Sequence, residues 1–239
     1  ILEISQQVQA LPVGGAFYCT EIVDTIYNGL MRRQNPGPKS PDTFLMSKGH
    51  GCMIQYVILE DLGILKRKDL DYGGPGMEAS TGSLGHGLSM ALGMAYAEKT
   101  QGRDGKIYCV LSDGEVQEGS TWEATMMASS FAVDNLIAFM DNNNFQSLGR
   151  THETHPSFYP VVDKYVAFGW EAVECDGHDP GAIFDAVVNR KGGKPLMVVC
   201  KTTKGKGVSY METVPMWHYR SPNKTELEQA IREIDGAAA

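Results

Sequence analysis

Residues 106–144 read KIYCVLSDGEVQEGSTWEATMMASSFAVDNLIAFMDNNN, and this stretch decides the fold. Lys106–Leu111 (KIYCVL) is a short apolar run that predicts a buried strand, and Leu136–Met140 (LIAFM) predicts a second. Residues 119–132 between them have helical spacing. The rhythm continues with a helix over 158–169, a strand over Trp170–Cys175, a helix over 180–191 and a strand over Leu196–Lys201 (LMVVCK). Strands alternating with helices in this way predict an α/β fold, a parallel sheet flanked by helices on both faces. In such sheets ligands bind where loops leave the carboxyl ends of strands.

Working outward, residues 3–34 have helical spacing broken at Pro12-Val13-Gly14-Gly15, which predicts an N-terminal helical hairpin over 1–34 ended by Asn35-Pro36-Gly37-Pro38. Residues 50–61 predict a helix, 63–84 a polar connecting segment, and 85–100 a helix rich in small residues. A last helix is expected over 221–235, after Ser221-Pro222. No repeat or low-complexity segment interrupts the pattern, so residues 1–239 read as one domain.

Composition narrows the function. Hydrophobic residues make up 42% and charged residues 21% of the 239, as in a globular protein with a sizeable core. The net charge of −8 argues against a nucleic-acid partner, which needs a basic face. No apolar run approaches the roughly 18 residues of a membrane span, and no signal peptide is visible. The five cysteines are odd in number and form no C-x-x-C, so reduced thiols in a cytoplasmic protein are expected rather than a disulfide framework or a zinc site.

The chemistry gathers at two strand ends. The KIYCVL strand runs into Ser112-Asp113-Gly114-Glu115, and the LIAFM strand into Asp141-Asn142-Asn143-Asn144. Asp113 and Asn143 are 143 − 113 = 30 positions apart with one helical crossover between, which brings both to the same sheet edge. A carboxylate and an amide oxygen there suit a hard divalent ion such as Mg²⁺. Gly114 allows close approach of phosphate oxygens, and the helix beginning near Gly119-Ser120-Thr121 turns its N-terminus toward the anion.

This pairing resembles the thiamine-diphosphate motif, G-D-G followed by N-N, with Ser112 in place of the first glycine. Ser47-Lys48-Gly49-His50-Gly51, Thr81-Gly82-Ser83-Leu84-Gly85-His86-Gly87-Leu88, Asp176-Gly177-His178-Asp179, the Lys201–Gly207 segment (KTTKGKG) and Trp217-His218 resemble further transketolase segments in the same order. The chain is therefore similar to a transketolase N-terminal domain, most closely the split form in which that domain is a separate subunit. The resemblance implies Mg²⁺, or Ca²⁺ or Mn²⁺ in its place, bound by Asp113, Asn143 and the backbone oxygen of Phe145, with Gly114 against the diphosphate. It implies that His50 and His218 contact the cofactor or the reacting carbons. His86 opens a helix that could face the diphosphate. Glu118 is implied to lie at a subunit contact within a carboxylate network, and of Glu118 and Glu123 at least one is expected to be buried with a raised pKa. His178 is expected to cap the helix after Pro180, and Lys204 and Lys206 either contact phosphate or lie in a solvated loop. Arg150, His152 and His155 are candidates for acceptor contacts, a surface loop being the simpler alternative.

The resemblance further implies a pyrimidine-binding domain on a partner chain, two of each chain in a heterotetramer, and transfer of a two-carbon ketol unit from a ketose phosphate. Two departures alter the expected substrate site. Pro12 stands where the family has a histidine over the reacting carbon, and Gly73-Gly74 runs directly into Pro75-Gly76 where the family has a longer stretch with a second histidine. An α subunit of a 2-oxo-acid dehydrogenase E1 component, a hybrid serving a lipoyl acceptor and a non-catalytic cofactor-binding homologue are the alternatives.

Overall fold

The computed structural model describes residues 1–2, 14–32, 41–66, 74–146, 149–218 and 220–237. Its strands are β1 Thr43–Met46, β2 Ile107–Ser112, β3 Leu136–Asn142, β4 Phe145–Gln146, β5 Gly149–Arg150, β6 Glu171–Asp176 and β7 Leu196–Lys201. Five of them form one sheet in the order β1-β2-β3-β7-β6, every neighbouring pair parallel, and β4 and β5 form a small antiparallel hairpin. The helices are α1 Gly14–Phe17, α2 Thr20–Asp24, α3 Met53–Asp61, α4 Gly87–Thr100, α5 Gly119–Ser130, α6 Thr151–Thr154, α7 Val161–Ala167, α8 Pro180–Val188 and α9 Lys224–Ala237.

Every residue of β2 is buried, as a central parallel strand covered on both faces requires. Successive side chains divide between two cores. Tyr108 and Val110 join Phe44, Phe139 and Val198 beneath Ile22 of α2, Ile58 of α3 and Ile183 of α8. Ile107, Cys109 and Leu111 join Ala138, Met140, Met197 and Val199 beneath α4, α5 and α7. Ala91 and Ala95 of α4 and Ala124 and Ala128 of α5 keep that second layer thin, so these helices pack close to the strands that carry the site. Trp170, buried at the start of β6, donates from its indole to Thr125 O of α5 at 2.8 Å. A smaller cluster joins Leu2, Val208, Met211 and Trp217 to Ala230 of α9.

The predicted strands lie within two residues of the observed ones, and β1 is an addition. Its four residues pair with Ile107–Val110 of β2. The predicted helix over 158–169 is confined to α7, with Pro160 fixing its start. Residues 14–30 are helical through α1, α2 and a wider π turn over Thr25–Leu30, whereas Pro12 and the Asn35–Pro38 turn lie outside the described residues. Among the described residues no helix is long and apolar enough to cross a membrane.

Candidate active site

Asp113 follows β2 and Asn143 follows β3. Ser112 and Asp141 are register partners on these adjacent strands, so the two residues emerge side by side at the carboxyl edge, as their spacing predicts. Asp113 Oδ1 accepts from the Gly114 amide at 2.9 Å, and Thr151 Oγ1 donates to its Oδ2 at 3.5 Å. Asn143 Oδ1 accepts from Phe145 N at 2.9 Å, while its Nδ2 donates to Asp141 Oδ2 at 3.3 Å. Asn144 then turns the chain with a φ of 61°, a left-handed conformation that asparagine tolerates, and its Oδ1 accepts from His152 N at 3.1 Å. This turn lays the β4–β5 hairpin beside Asp113.

Beneath the loops, Lys48 and Asp141 form a fully buried ion pair at 2.6 Å. The Thr202 hydroxyl also donates to Asp141, and Lys48 Nζ lies 4.2 Å from the centroid of the Tyr18 ring. Burial alone would lower the Lys48 pKa, but Asp141 holds it above its ordinary value. Among the described residues Asp113 has no such partner. Burial and then the nearby Asp141 charge push its carboxyl up to about 8, which marks a site that a cation would complete. The donor set, Asp113, Asn143 and the carbonyl of Phe145, is all oxygen and suits a hard ion. Among the described residues no cluster of three or more His, Cys, Asp and Glu side chains offers a softer site.

A cleft of about 420 Å³ opens above, lined by Tyr18, His50, Gly82, Leu84, Ser112, Gly114, Glu118, Asn143, Phe145 and Gln146. It unites five of the predicted site residues: His50, Gly114, Glu118, Asn143 and Phe145. A Cβ on Gly114 would meet only Gln146 Cβ at 3.6 Å and Ser112 Oγ at 4.0 Å, so the space before this glycine is open to a ligand. Gly15 serves the opposite purpose, since a Cβ there would fall 2.7 Å from His50 O, and its absence lets the N-terminal helical segment press against the His50 loop.

The other predicted residues are placed less centrally. His86 is exposed beside Ser83 O at 3.1 Å and is not among the residues lining the cleft. The backbone of His218 closes a 3-10 turn over Pro215–His218, and its side chain lies outside the described residues. Lys204 is buried with Nζ 5.2 Å from the Phe145 ring centroid, and burial lowers it to about 8 against the pull of Asp113 and Asp141. Lys206 is exposed. Arg150 lies over the Phe145 ring at 4.8 Å. His152 and His155 are exposed, engaged with Asn144 at 2.6 Å and Gln117 at 3.2 Å.

One expectation is corrected, the cap of α8. Glu118 and Glu123 are both exposed within the single chain, so any burial of either belongs to a subunit contact. The buried glutamate of the segment is Glu115, whose pKa is raised by burial. The cap of α8 is Asp179, not His178, for Asp179 Oδ1 accepts from Gly181 N at 2.8 Å and Ala182 N at 3.2 Å. His178 Nε2 instead accepts from Thr203 N at 2.8 Å, which leaves the ring proton on Nδ1, 3.3 Å from Glu21 Oε2. Sequence reasoning assigned no role to Lys48, Glu115 or Tyr18; the signal for Lys48 was a lysine inside a glycine-rich loop directly after an apolar run.

Fold and cleft together define a ligand-binding α/β domain that uses the carboxyl edge of a parallel sheet. The family profile described as "Transketolase, thiamine diphosphate binding domain" matches residues 5–234. The chain is 37% identical to one subunit of the apulose-4-phosphate transketolase of Phocaeicola vulgatus, over 98% of this chain and 89% of that relative. It is 36% identical to the SqwG subunit of the 6-deoxy-6-sulfo-D-fructose transketolase of a Clostridium species, over 95% and 89%. The transketolase structure from Campylobacter jejuni superposes with a TM-score of 0.84 at 27% identity, covering 98% of this chain but 40% of that one. This chain belongs to the transketolase family and corresponds to its thiamine-diphosphate-binding domain. Membership sets aside the 2-oxo-acid dehydrogenase alternative.

Proposed function

We propose that the chain is the cofactor-binding subunit of a two-subunit transketolase that moves a two-carbon ketol unit from a ketose phosphate to an acceptor. The observation that carries this reading is the buried carboxylate of Asp113 beside Asn143 at the sheet edge, with Ser112 and Gly114 on either side of it and Asn143 itself lining the cleft. Asp113, Asn143 and the Phe145 carbonyl would hold Mg²⁺, Gly114 would admit the diphosphate, and His50 would face it from the opposite loop. Thiamine diphosphate supplies a carbanion that adds to a carbonyl and stabilises the cleaved two-carbon unit. This chain's part is to anchor and orient that group, with His50 and His218 offering protons near the reacting carbons. Two relatives that this chain covers to 89% are named as transketolase subunits, which supports a partner carrying the pyrimidine-binding half. The assembly is proposed to be a cytoplasmic heterotetramer with the start of α5, where Glu118 stands, at a subunit contact.

The test is ketol transfer by the chain alone and with a co-expressed partner. Activity is expected only with the partner, and full turnover by the purified chain alone rejects the reading. Pro12 replaces a positioned acid–base group, and such groups contribute about 10²–10⁴ in rate. Xylulose 5-phosphate is therefore expected to react more slowly than apulose 4-phosphate or 6-deoxy-6-sulfofructose, the sugars named for the relatives. Equal rates, or no gain when histidine is restored by Pro12→His, place the specificity elsewhere.

A further inference from the structure

Glu115 opens the turn over Glu115–Gln117 after β2 and is fully buried. Its Oε1 accepts two hydrogen bonds, one from the Ser47 hydroxyl and one from the Gly85 amide at 2.9 Å. Ser47 follows β1, with its amide bonded to Val110 O at 2.9 Å, and begins the loop that carries His50. Gly85 ends the loop whose Gly82 and Leu84 line the cleft. Glu115 itself extends the loop of Ser112 and Gly114, where its amide donates to Ser112 Oγ at 3.2 Å, and its carbonyl accepts from Thr121 Oγ1 of α5 at 3.1 Å. Three walls of the cleft thus converge on one carboxylate oxygen, although neither Glu115 nor Ser47 lines the cleft. The fit is close: a Cβ on Gly87 would fall 2.0 Å from Ser47 Oγ. Oε2 is buried and makes no hydrogen bond among the described residues, so the side chain is committed to these two donors through its other oxygen.

We infer that Glu115 is a positioning residue for cofactor binding, tying the His50 loop and the Gly82–Gly87 loop to the loop of Asp113 so that the cleft is formed before the cofactor arrives. The inference rests on the reading of this cleft as the thiamine-diphosphate site. Its chemistry requires an acceptor at Oε1, not a negative charge. A glutamine keeps that oxygen, an alanine removes it and strands two buried donors, and an aspartate is one methylene too short to reach both.

Two measurements on the full chain test it. Hydrogen exchange without cofactor is expected to show Glu115→Ala losing protection at the Gly85 amide and through residues 47–51, while Glu115→Gln stays protected. With the partner present, titration of thiamine diphosphate with Mg²⁺ is expected to show about a tenfold or greater loss of affinity in Glu115→Ala, the scale of two broken buried hydrogen bonds. Glu115→Gln, which keeps the Oε1 acceptor but sets its amide nitrogen at the unpartnered Oε2 position, is expected to retain more affinity than Glu115→Ala. Unchanged Gly85 exchange in a folded Glu115→Ala, or a Glu115→Gln as defective as the alanine, overturns the inference. If Glu115→Ala does not fold, Ser47→Ala carries the test: exchange is expected to rise through 47–51 while Gly85 stays protected, and an unchanged pattern overturns it. A parent complex that fails to bind the cofactor overturns the reading of the cleft, whereas the exchange pattern still judges the tie.

Discussion

Asp113 is the residue at which stability and function oppose one another. Its native pKa of about 8 lies far above the ordinary 3.8, so it favours the folded state most fully below pH 4. That contribution drains away as pH rises toward 8, because the unfolded chain ionises first. Glu115, also raised by burial, acts in the same direction. Lys204, lowered to about 8 from 10.5, makes stability depend on pH only above pH 8, where it rises as the folded lysine loses its proton first, and leaves the acidic window to the carboxyls. Asp113→Asn should therefore raise the melting temperature of the metal-free chain at pH 8, by the equivalent of about 5 kcal/mol, and change it little at pH 3.5. The same substitution should abolish Mg²⁺-dependent cofactor binding. Thermal scans at both pH values without metal check the first half, and parent-like cofactor affinity refutes the second. Asp113 and Asn143 were legible in the sequence because a strand-end carboxylate and amide one crossover apart can meet only at the sheet edge. Glu115 was not. Nothing in SDGEVQEG shows which glutamate turns inward, and the choice is made by Ser47 and Gly85 from distant segments.

At the scale of elements, legibility follows the number of buried faces. β2, β3 and β7 are covered on both sides, so each reads as an unbroken apolar run. β1 has only the four residues Thr43–Met46 and becomes a strand by pairing with β2, a long-range contact that local pattern does not carry. The β4–β5 hairpin likewise depends on the left-handed turn at Asn144. The start of α8 was legible from Asp179-Pro180, since proline suits the first helical turn, yet the cap belongs to the residue immediately before it. Asp179→Ala should lower stability by about 1 kcal/mol in urea unfolding. His178→Ala should leave α8 capped and act instead through the loss of its contacts with Thr203 and Glu21. Helix content and cofactor affinity should both survive Asp179→Ala, because α8 packs on the sheet face away from α4 and α5. A stability loss confined to His178→Ala would return the cap to the histidine.

At the scale of the whole molecule and among the described residues, α4 and the end of α5 carry a group of exposed apolar side chains that the core does not use. Tyr96 of α4 and Phe131, which follows α5, meet as a tilted ring pair with centroids 4.7 Å apart, and Met126 and Met127 of α5 are 46% and 43% exposed. Exposed apolar side chains concentrated on one pair of helices mark an interaction surface. The helix that carries this face begins at Glu118, which lines the cofactor cleft, so a subunit docked here would couple directly to the site. Closed two-fold symmetry is the commonest solution for such assemblies and would bring two cofactor sites together across α5. Met126→Glu with Met127→Glu should leave the isolated chain folded, since exposed substitutions usually change stability by no more than about 0.5 kcal/mol. With the partner present, the pair should convert the proposed heterotetramer to smaller species, and activity should become dependent on protein concentration. Val188→Glu supplies the comparison, because Val188 is 50% exposed on α8, across the sheet from α4 and α5, and should leave assembly unchanged. Light scattering of both variants with the partner decides the matter. If the methionine variant keeps the parent mass while the Val188 variant dissociates, the subunit contact lies on the α8 face and Glu118 is not part of it.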